Sequence, residues 1–400
     1  MTDSADAAAR PAAGPPDRWG VPALGLVTIT AYGSWFYGFG VLLDLIVDDT
    51  GWSTTSLGAT FGAAQVITGL GAVVGGRLLD RFGGPGPFGV QLVLGVVLLF
   101  AASFAGSMWL FGLTYAVGAG VIGATGFYPV TTAAAARLHP EGPDRAIARL
   151  TILGAFSSPI FLPLTAWFAE SEGWRPAMRL LAALAAVGAA VAIWFARGAG
   201  SPEHHRRSAS PVAALRSAVR HPQIARMLVV YAAAGLAFSS VLVFQVPIMT
   251  SAGISLGVAG TIGGLRGFCQ VFGRIGLATA VARFGARTLL RVAYATGGVG
   301  VLFLLAGEVV PAVIFAVLAG VSLGATSPLQ PMFARQYFSP DDLGLLMGLQ
   351  GAAFGLAGGI GPVVGGAAQE LTGSWTPTVL IAAVALFVSA AGLVDRSPTE

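Results

Sequence analysis

The sequence predicts an all-α integral membrane protein: twelve transmembrane helices in two pseudo-symmetric six-helix bundles, with both termini cytoplasmic. Three observations predict it. Only 10% of the 400 residues are charged and mean hydropathy is +0.78, against about 25% charged residues in an ordinary soluble domain. Twelve apolar stretches of roughly 20 residues, each able to span a ~30 Å hydrocarbon core, are separated by polar turns. And the chain repeats itself. Residues 50–83 laid on 252–285, an offset of 202, give eight identities without a gap: Gly51/Gly253, Ser53/Ser255, Gly58/Gly260, Gly62/Gly264, Gly71/Gly273, Arg81/Arg283, Phe82/Phe284 and Gly83/Gly285. Ala119-Gly120-Val121 recurs as Ala319-Gly320-Val321, Gly123-Ala124-Thr125 as Gly324-Ala325-Thr326, and Trp174 as Trp375. Two like halves in so apolar a chain mark a transporter built from repeats around a central site.

Residues 1–21 are polar, rich in Pro and Ala, and lack the apolar core of a signal peptide. They read as a disordered cytoplasmic tail. The N-terminal bundle, 22–197, carries spans at 22–47, 54–79, 86–106, 109–135, 146–168 and 176–197. The polar stretch 198–226 is a cytoplasmic linker. Within it 212–220 reads as a short amphipathic helix with Ser210 as N-cap and Pro211 in the first turn. Its Arg216 and Arg220 share one face suited to anionic headgroups. His204 and His205 lack the further ligands a metal site needs. The C-terminal bundle, 227–394, carries spans at 227–249, 256–281, 288–306, 310–334, 343–368 and 376–394, and 395–400 is a second cytoplasmic tail. Many spans are β-branched, but their length and glycine content argue for helices. Glycines 118, 120, 123 and 126, and 355, 358, 359 and 361, allow close helix approach. Pro129, Pro159, Pro163, Pro328, Pro331 and Pro362 bend their spans.

All 22 basic residues are arginine, and 18 fall on the tails, the central linker and the even-numbered loops. The opposite loops carry Asp48, Asp49, Glu170, Glu172, Glu308 and Glu370. This bias places both termini in the cytoplasm of a cell membrane, and it accounts for the net charge of +4 without nucleic-acid binding. Cys269 is the single cysteine, so no intramolecular disulfide forms and it reads as a packing residue. No Walker-type phosphate loop is present, which argues against ATP-driven transport. No nucleophile–base constellation appears, so the chain is not read as an enzyme, and it calls for no cofactor or metal.

Arg266 and Arg274 lie well inside a span, where each costs several kcal/mol unless it faces protein or water. On an unbroken helix they stand about 12 Å apart and roughly 80° around, so both can line one cavity. A guanidinium matches a carboxylate by a bidentate bond. The alternative is bonding to helix-end carbonyls or, for Arg274, snorkelling to the interface. Tyr32, Tyr37, Gln65, Gln245, Gln270 and Gln350 also bring polar groups into spans, chiefly for interhelical hydrogen bonds. Asp44 is the one in-span carboxylate outside the loop motif. It reads as an interfacial acid, with a proton site as the alternative.

Residues Gly76 to Gly83, with Asp80 and Arg81 between, resemble the G-x-x-x-D-R-x-G signature of the major facilitator superfamily. A carboxylate and an arginine at a helix end can make charge-assisted bonds that differ between conformations. The expected latch is therefore Gly76, Asp80, Arg81 and Gly83, with Arg283 in the second half, where Ala282 replaces the aspartate. The basic residues that follow in the family are replaced by Gly84-Pro85-Gly86-Pro87. Further pieces resemble the monocarboxylate-transporter and oxalate–formate-antiporter branch: Phe39-Gly40-Val41 with Thr50-Gly51-Trp52-Ser53, Gly118-x-Gly120 leading to Tyr128-Pro129, Arg145-Ala146, Gly173-Trp174-Arg175, Gly273-Arg274, and Gly361-Pro362 before Thr372-Gly373-Ser374-Trp375.

The resemblance implies alternating access, small carboxylate substrates and coupling to protons. It places Arg274 on the anion and Tyr128 in the fourth-helix pocket, with interhelical packing as the alternative for Tyr128. Two departures stand out. Gln270 replaces an aspartate that animal members use in proton coupling, and Gly348–Gly361 lacks the lysine of the oxalate type. The substrate-binding set is thus Arg274, Arg266, Tyr128, Gln270 and Tyr32. The sequence reads as a monomeric secondary transporter of a small organic anion. Its rivals are an exporter of hydrophobic or drug-like compounds and a non-transporting membrane sensor.

Overall fold

The computed structural model describes residues 19–199, 222–337 and 340–393. Residues 1–18 of the expected N-terminal tail, the C-terminal tail, the expected amphipathic helix, and His204 and His205 lie outside the described residues, and α1 begins at Gly20, within the expected tail. Twelve helical elements follow one another, and no strand occurs among the described residues. They are α1 (Gly20–Thr50), α2 (Thr54–Phe82), α3 (Pro85–Ala102), α4 (Met108–Leu138), α5 (Pro143–Glu172), α6 (Trp174–Phe195), α7 (Pro222–Ser251), α8 (256–284), α9 (Ala286–Ala306), α10 (Val309–Tyr337), α11 (Pro340–Thr372) and α12 (Thr376–Gly392). Ten are long and apolar enough to cross a membrane; α8 is interrupted and α12 has 17 residues.

The repeated residues take paired structural roles. Gly51 and Gly253 follow α1 and α7 with φ of 68° and 89°, a left-handed turn that suits glycine. Ser53 and Ser255 come next, in extended backbone, as the N-caps of α2 and α8. Arg81 lies over the Phe82 ring at 5.1 Å and Arg283 over Phe284 at 5.2 Å. The mid-helix glycines serve the seam between the halves. A Cβ on Gly58 would stand 2.4 Å from the Pro362 carbonyl oxygen, and one on Gly62 2.1 Å from that of Gly359, both on α11. Their repeat mates face α5: a Cβ on Gly260 would meet the Leu162 carbonyl at 3.0 Å, and one on Gly264 the Pro159 carbonyl at 3.4 Å. Gly71 and Gly273 pack within their own halves, on Ala124 of α4 and on Val321 and Ala325 of α10. Hydrophobic drive is absent between helices in lipid, so close backbone approach and buried hydrogen bonds hold such seams. Within each half, buried hydrogen bonds of the same kind are Ser157 Oγ to Ile29 O (2.7 Å), Ser322 Oγ to Ala293 O (2.7 Å) and Ser389 Oγ to Val230 O (3.0 Å).

Among the described residues the seam is lopsided along the membrane normal. The hydrogen bonds found there between the halves are Thr55 to Glu370, Gly257 to Glu170, Thr250 to Asp44, Arg266 to Ser158, and Ser158 to Gly263. They run from mid-membrane to the end where α2 begins, called the Thr55 end. Toward the other, the Asp80 end, a Cβ on Gly69, Gly76, Gly351 or Gly355 would meet nothing within 4 Å. The protein is packed shut at its Thr55 end.

The expectation of an unbroken eighth helix is corrected. α8 runs as Leu256–Cys269, passes a 3-10 turn at Phe272–Arg274, and resumes as Leu277–Phe284. Ile275 is extended and Gly276 is left-handed at φ 68°. The cause is local: Gly273 is pressed so close to α10 that its Cβ would sit 2.2 Å from the Val321 carbonyl, and Gly276 supplies the positive φ that re-aims the chain. The helical spacing expected for Arg266 and Arg274 therefore does not apply.

Candidate functional site

Three irregular segments meet at mid-membrane. The first is a π-turn in α1, Tyr32–Tyr37, which contains Gly33, where a Cβ would lie 2.1 Å from the Phe161 ring. Such turns are frequent at functional sites. The second is the break in α4 at Phe127, where φ −83° and ψ 168° precede Tyr128-Pro129. The proline cannot donate to the preceding turn. The third is the break in α8.

The first two bring aromatic rings together. Tyr32 stacks on Phe127 with centroids 3.6 Å apart and planes at 4°, and Phe127 in turn stacks on Trp35 at 5.5 Å. Tyr128 lies 5.4 Å from Tyr32, and its hydroxyl donates to the Thr151 carbonyl at 3.4 Å. Arg274 is half-buried, and its Nε is buried with no hydrogen-bond partner. Of the expected substrate residues, Tyr32 and Tyr128 meet from α1 and α4, and Arg274 lies at the break in α8.

Arg266 sits deeper toward the Thr55 end and is only 1% exposed. Its Nε donates to Gln245 Oε1 on α7 at 2.9 Å, and one terminal nitrogen donates to Ser158 Oγ on α5 at 3.1 Å. Gln245 is oriented for this by its own Nε2, which donates to the Leu242 carbonyl. The guanidinium carbon stands 5.9 Å from the Tyr37 ring centroid. The other terminal nitrogen is buried with no partner. The ion pairs found among the described residues, Asp80–Arg137 and Asp49–Arg175, involve neither Arg266 nor Arg274. A guanidinium out of water and without a carboxylate carries a large desolvation cost.

Gln270 ends the first piece of α8 and is half-buried. What it presses on α10 is its backbone: a Cβ on Gly324 would meet the Gln270 carbonyl at 2.1 Å. Sequence reasoning missed Ser158, because a serine before a proline carries no signal of an arginine from the other half. It named Tyr37 and Gln245 only as in-span polar groups. Asp44 is half-buried and accepts from Thr250 Oγ1 of α7 at 2.5 Å, so it bridges the halves near the Thr55 end.

The latch residues gather at the other end. Asp80 bonds Arg137 of α4, a partner the motif does not contain. Gly76 faces open space, Gly83 ends α2 with φ 66°, and Arg81 and Arg283 lie on the neighbouring phenylalanine rings. The Asp80–Arg137 pair lies within the N-terminal half. Among the described residues no group of His, Cys, Asp and Glu is arranged to hold a metal.

Comparison with known proteins places this architecture. The profile of the Major Facilitator Superfamily matches residues 24–249 and 227–400. No curated protein sequence matches the chain. Among solved structures, a point mutant of the nucleoside transporter NupG superposes with a TM-score of 0.82 at 15% identity, covering 94% of this chain and 98% of that one. A POT family transporter in complex with 5-aminolevulinic acid gives 0.72 at 14% identity, covering 92% and 94%. A bacterial homologue of the human lysosomal transporter Spinster, inward-facing and unoccupied, gives 0.68 at 15% identity, covering 95% of each chain.

Proposed function

The chain belongs to the Major Facilitator Superfamily, and from that premise we propose that it carries a small organic anion, a monocarboxylate, across the cell membrane by alternating access. The observation that carries this reading is Arg266. A fully buried guanidinium with an unbonded terminal nitrogen and no acid partner is a site for a substrate carboxylate. Arg274, at the break in the same helix, carries a second unbonded nitrogen. Both arginines lie on α8 of the C-terminal half and the aromatic wall of Tyr32 and Tyr128 comes from the N-terminal half, so in this reading a bound anion touches both moving bodies. In this division the arginines neutralise the carboxylate, and the phenols orient whatever it carries.

The arginine bias of the loops puts the Asp80 end in the cytoplasm. A seam packed at the Thr55 end is then the inward-facing state. The Asp80–Arg137 pair braces α2 against α4 on the cytoplasmic side of this state. Coupling to protons rests on the branch resemblance; the in-span acid Asp44 is engaged by Thr250.

The test is uptake by proteoliposomes of a panel of radiolabelled monocarboxylates, with and without a protonophore. Saturable uptake of one or more of them supports the reading. Flux confined to lipophilic cations, or binding without flux, overturns it in favour of an exporter or a sensor.

A further inference from the structure

The Thr55 end carries a pair of contacts that the internal repeat relates to one another. Glu370, near the end of α11, reaches into the N-terminal half: Thr55 donates its backbone N–H to Oε1 at 3.0 Å and its hydroxyl to Oε2 at 2.6 Å. Glu170, near the end of α5, reaches the opposite way and accepts the Gly257 backbone N–H at 2.7 Å. Thr55 and Gly257 are 202 residues apart, the repeat offset, and each is the second residue of its helix. Glu170 and Glu370 are 200 apart, the offset of Ala119/Ala319. The first N–H groups of a helix have no partner inside it and favour negative charge. In α2 the N-cap Ser53 already takes the Ser56 N–H, which leaves that of Thr55; in α8 Ser255 makes no side-chain cap bond at all. Each half therefore supplies the missing helix cap of the other.

We propose that Glu170 and Glu370 form a crossed clasp that holds the Thr55 end shut and sets how often it opens. Both bonds join the halves, so both must break when the halves rock apart, and both re-form on closing. An ordinary cap within one bundle would persist in either state and would not bias the exchange between them. The proposal does not depend on the cargo.

The test uses the full chain in lipid nanodiscs without substrate. Cys269→Ala removes the native cysteine. Trp109→Cys and Leu371→Cys, 90% and 86% exposed on opposite halves at this end, carry spin labels for pulsed distance measurement. One carboxylate at a helix N-terminus shifts an equilibrium about 2- to 5-fold, so the Glu170→Ala/Glu370→Ala pair is expected to raise the ratio of the longer to the shorter distance about 10-fold. Glu172→Ala, exposed on the same helix end, is expected to leave it unchanged. A double variant that keeps the parental distance distribution overturns the clasp, as does a Glu172→Ala shift of the same size. If the alanine pair does not fold, the Glu170→Gln/Glu370→Gln pair decides by the same criterion, since it keeps the side-chain shape and an acceptor oxygen while removing the charge.

Discussion

Replacing Arg266 by methionine separates a structural arginine from a functional one. The variant loses two hydrogen bonds from a charged donor, to Gln245 and Ser158, each contributing roughly 1.5–3 kcal/mol. That is about 3–6 kcal/mol lost. It also removes the desolvation cost of a charge with no acid partner, which is several kcal/mol, and methionine fills most of the stem's volume. The two effects nearly cancel, so stability is expected to lie within about 2 kcal/mol of the parent. For a chain of this length that is a Tm change of about 2–3 °C. Binding behaves differently. Loss of a buried, hydrogen-bonded charge partner costs about 2–5 kcal/mol, or roughly 30-fold to several thousand-fold in affinity. The measurement pairs thermal unfolding in detergent with carboxylate uptake by proteoliposomes. A folded Arg266→Met protein that transports at the parental rate refutes the anion role. A variant that unfolds during purification refutes the cancellation and makes Arg266 a structural bolt between α5, α7 and α8.

Arg274→Lys keeps the charge but loses the planar fork; uptake should fall at least several-fold while expression and Tm hold, and unchanged uptake removes Arg274 from the site. Gly62→Ala places a methyl 2.1 Å from a backbone oxygen that cannot turn aside, so an overpacking cost of about 1–3 kcal/mol is expected, along with a wider Thr55 end by spin-label distance. Its repeat mate Gly264→Ala meets Pro163 Cδ at 3.3 Å and the Pro159 carbonyl at 3.4 Å, a tight fit relieved by a shift of a few tenths of an ångström, so its effect on Tm and distance should be smaller than that of Gly62→Ala. Asp80→Asn weakens a largely buried pair with Arg137 and should cost more than a surface pair but less than the roughly 3–5 kcal/mol of a fully buried one; a large fall in transport rate in protein that stays folded would show that the pair acts on the conformational cycle.

The twelve helices were legible because lipid leaves the chain no other way to satisfy its backbone, and each span shows as a run of apolar residues. Arg266 and Arg274 were legible for a related reason: a charge inside a span is too costly to be accidental. Their surroundings were not. Ser158 and Gln245 become partners of Arg266 only when α5, α7 and α8 are assembled, and nothing in a Ser-Ser-Pro triplet announces that. The break in α8 was equally hidden, since Gly273 repeats Gly71 and the two look interchangeable in sequence. The difference lies in what each meets: Gly71 meets the Cβ of Ala124, whereas Gly273 runs against a backbone carbonyl. The repeat foretold which glycines matter but not that Gly58 and Gly62 face the other half while Gly71 faces its own. Arg137 was read as one more loop charge because the motif holds only half of its ion pair.

The break also leaves the two halves mechanically unlike. α2 is a single rod of 29 residues from Thr54 to Phe82, so a tilt imposed at one membrane face arrives undiminished at the other. α8 has a joint at Ile275–Gly276, beside Arg274, so its two segments can swing by different angles. A ligand seated at that joint would touch the one repeat-related helix of the pair whose ends need not move together, and a lever with an elbow can answer locally before its rigid counterpart has moved at all.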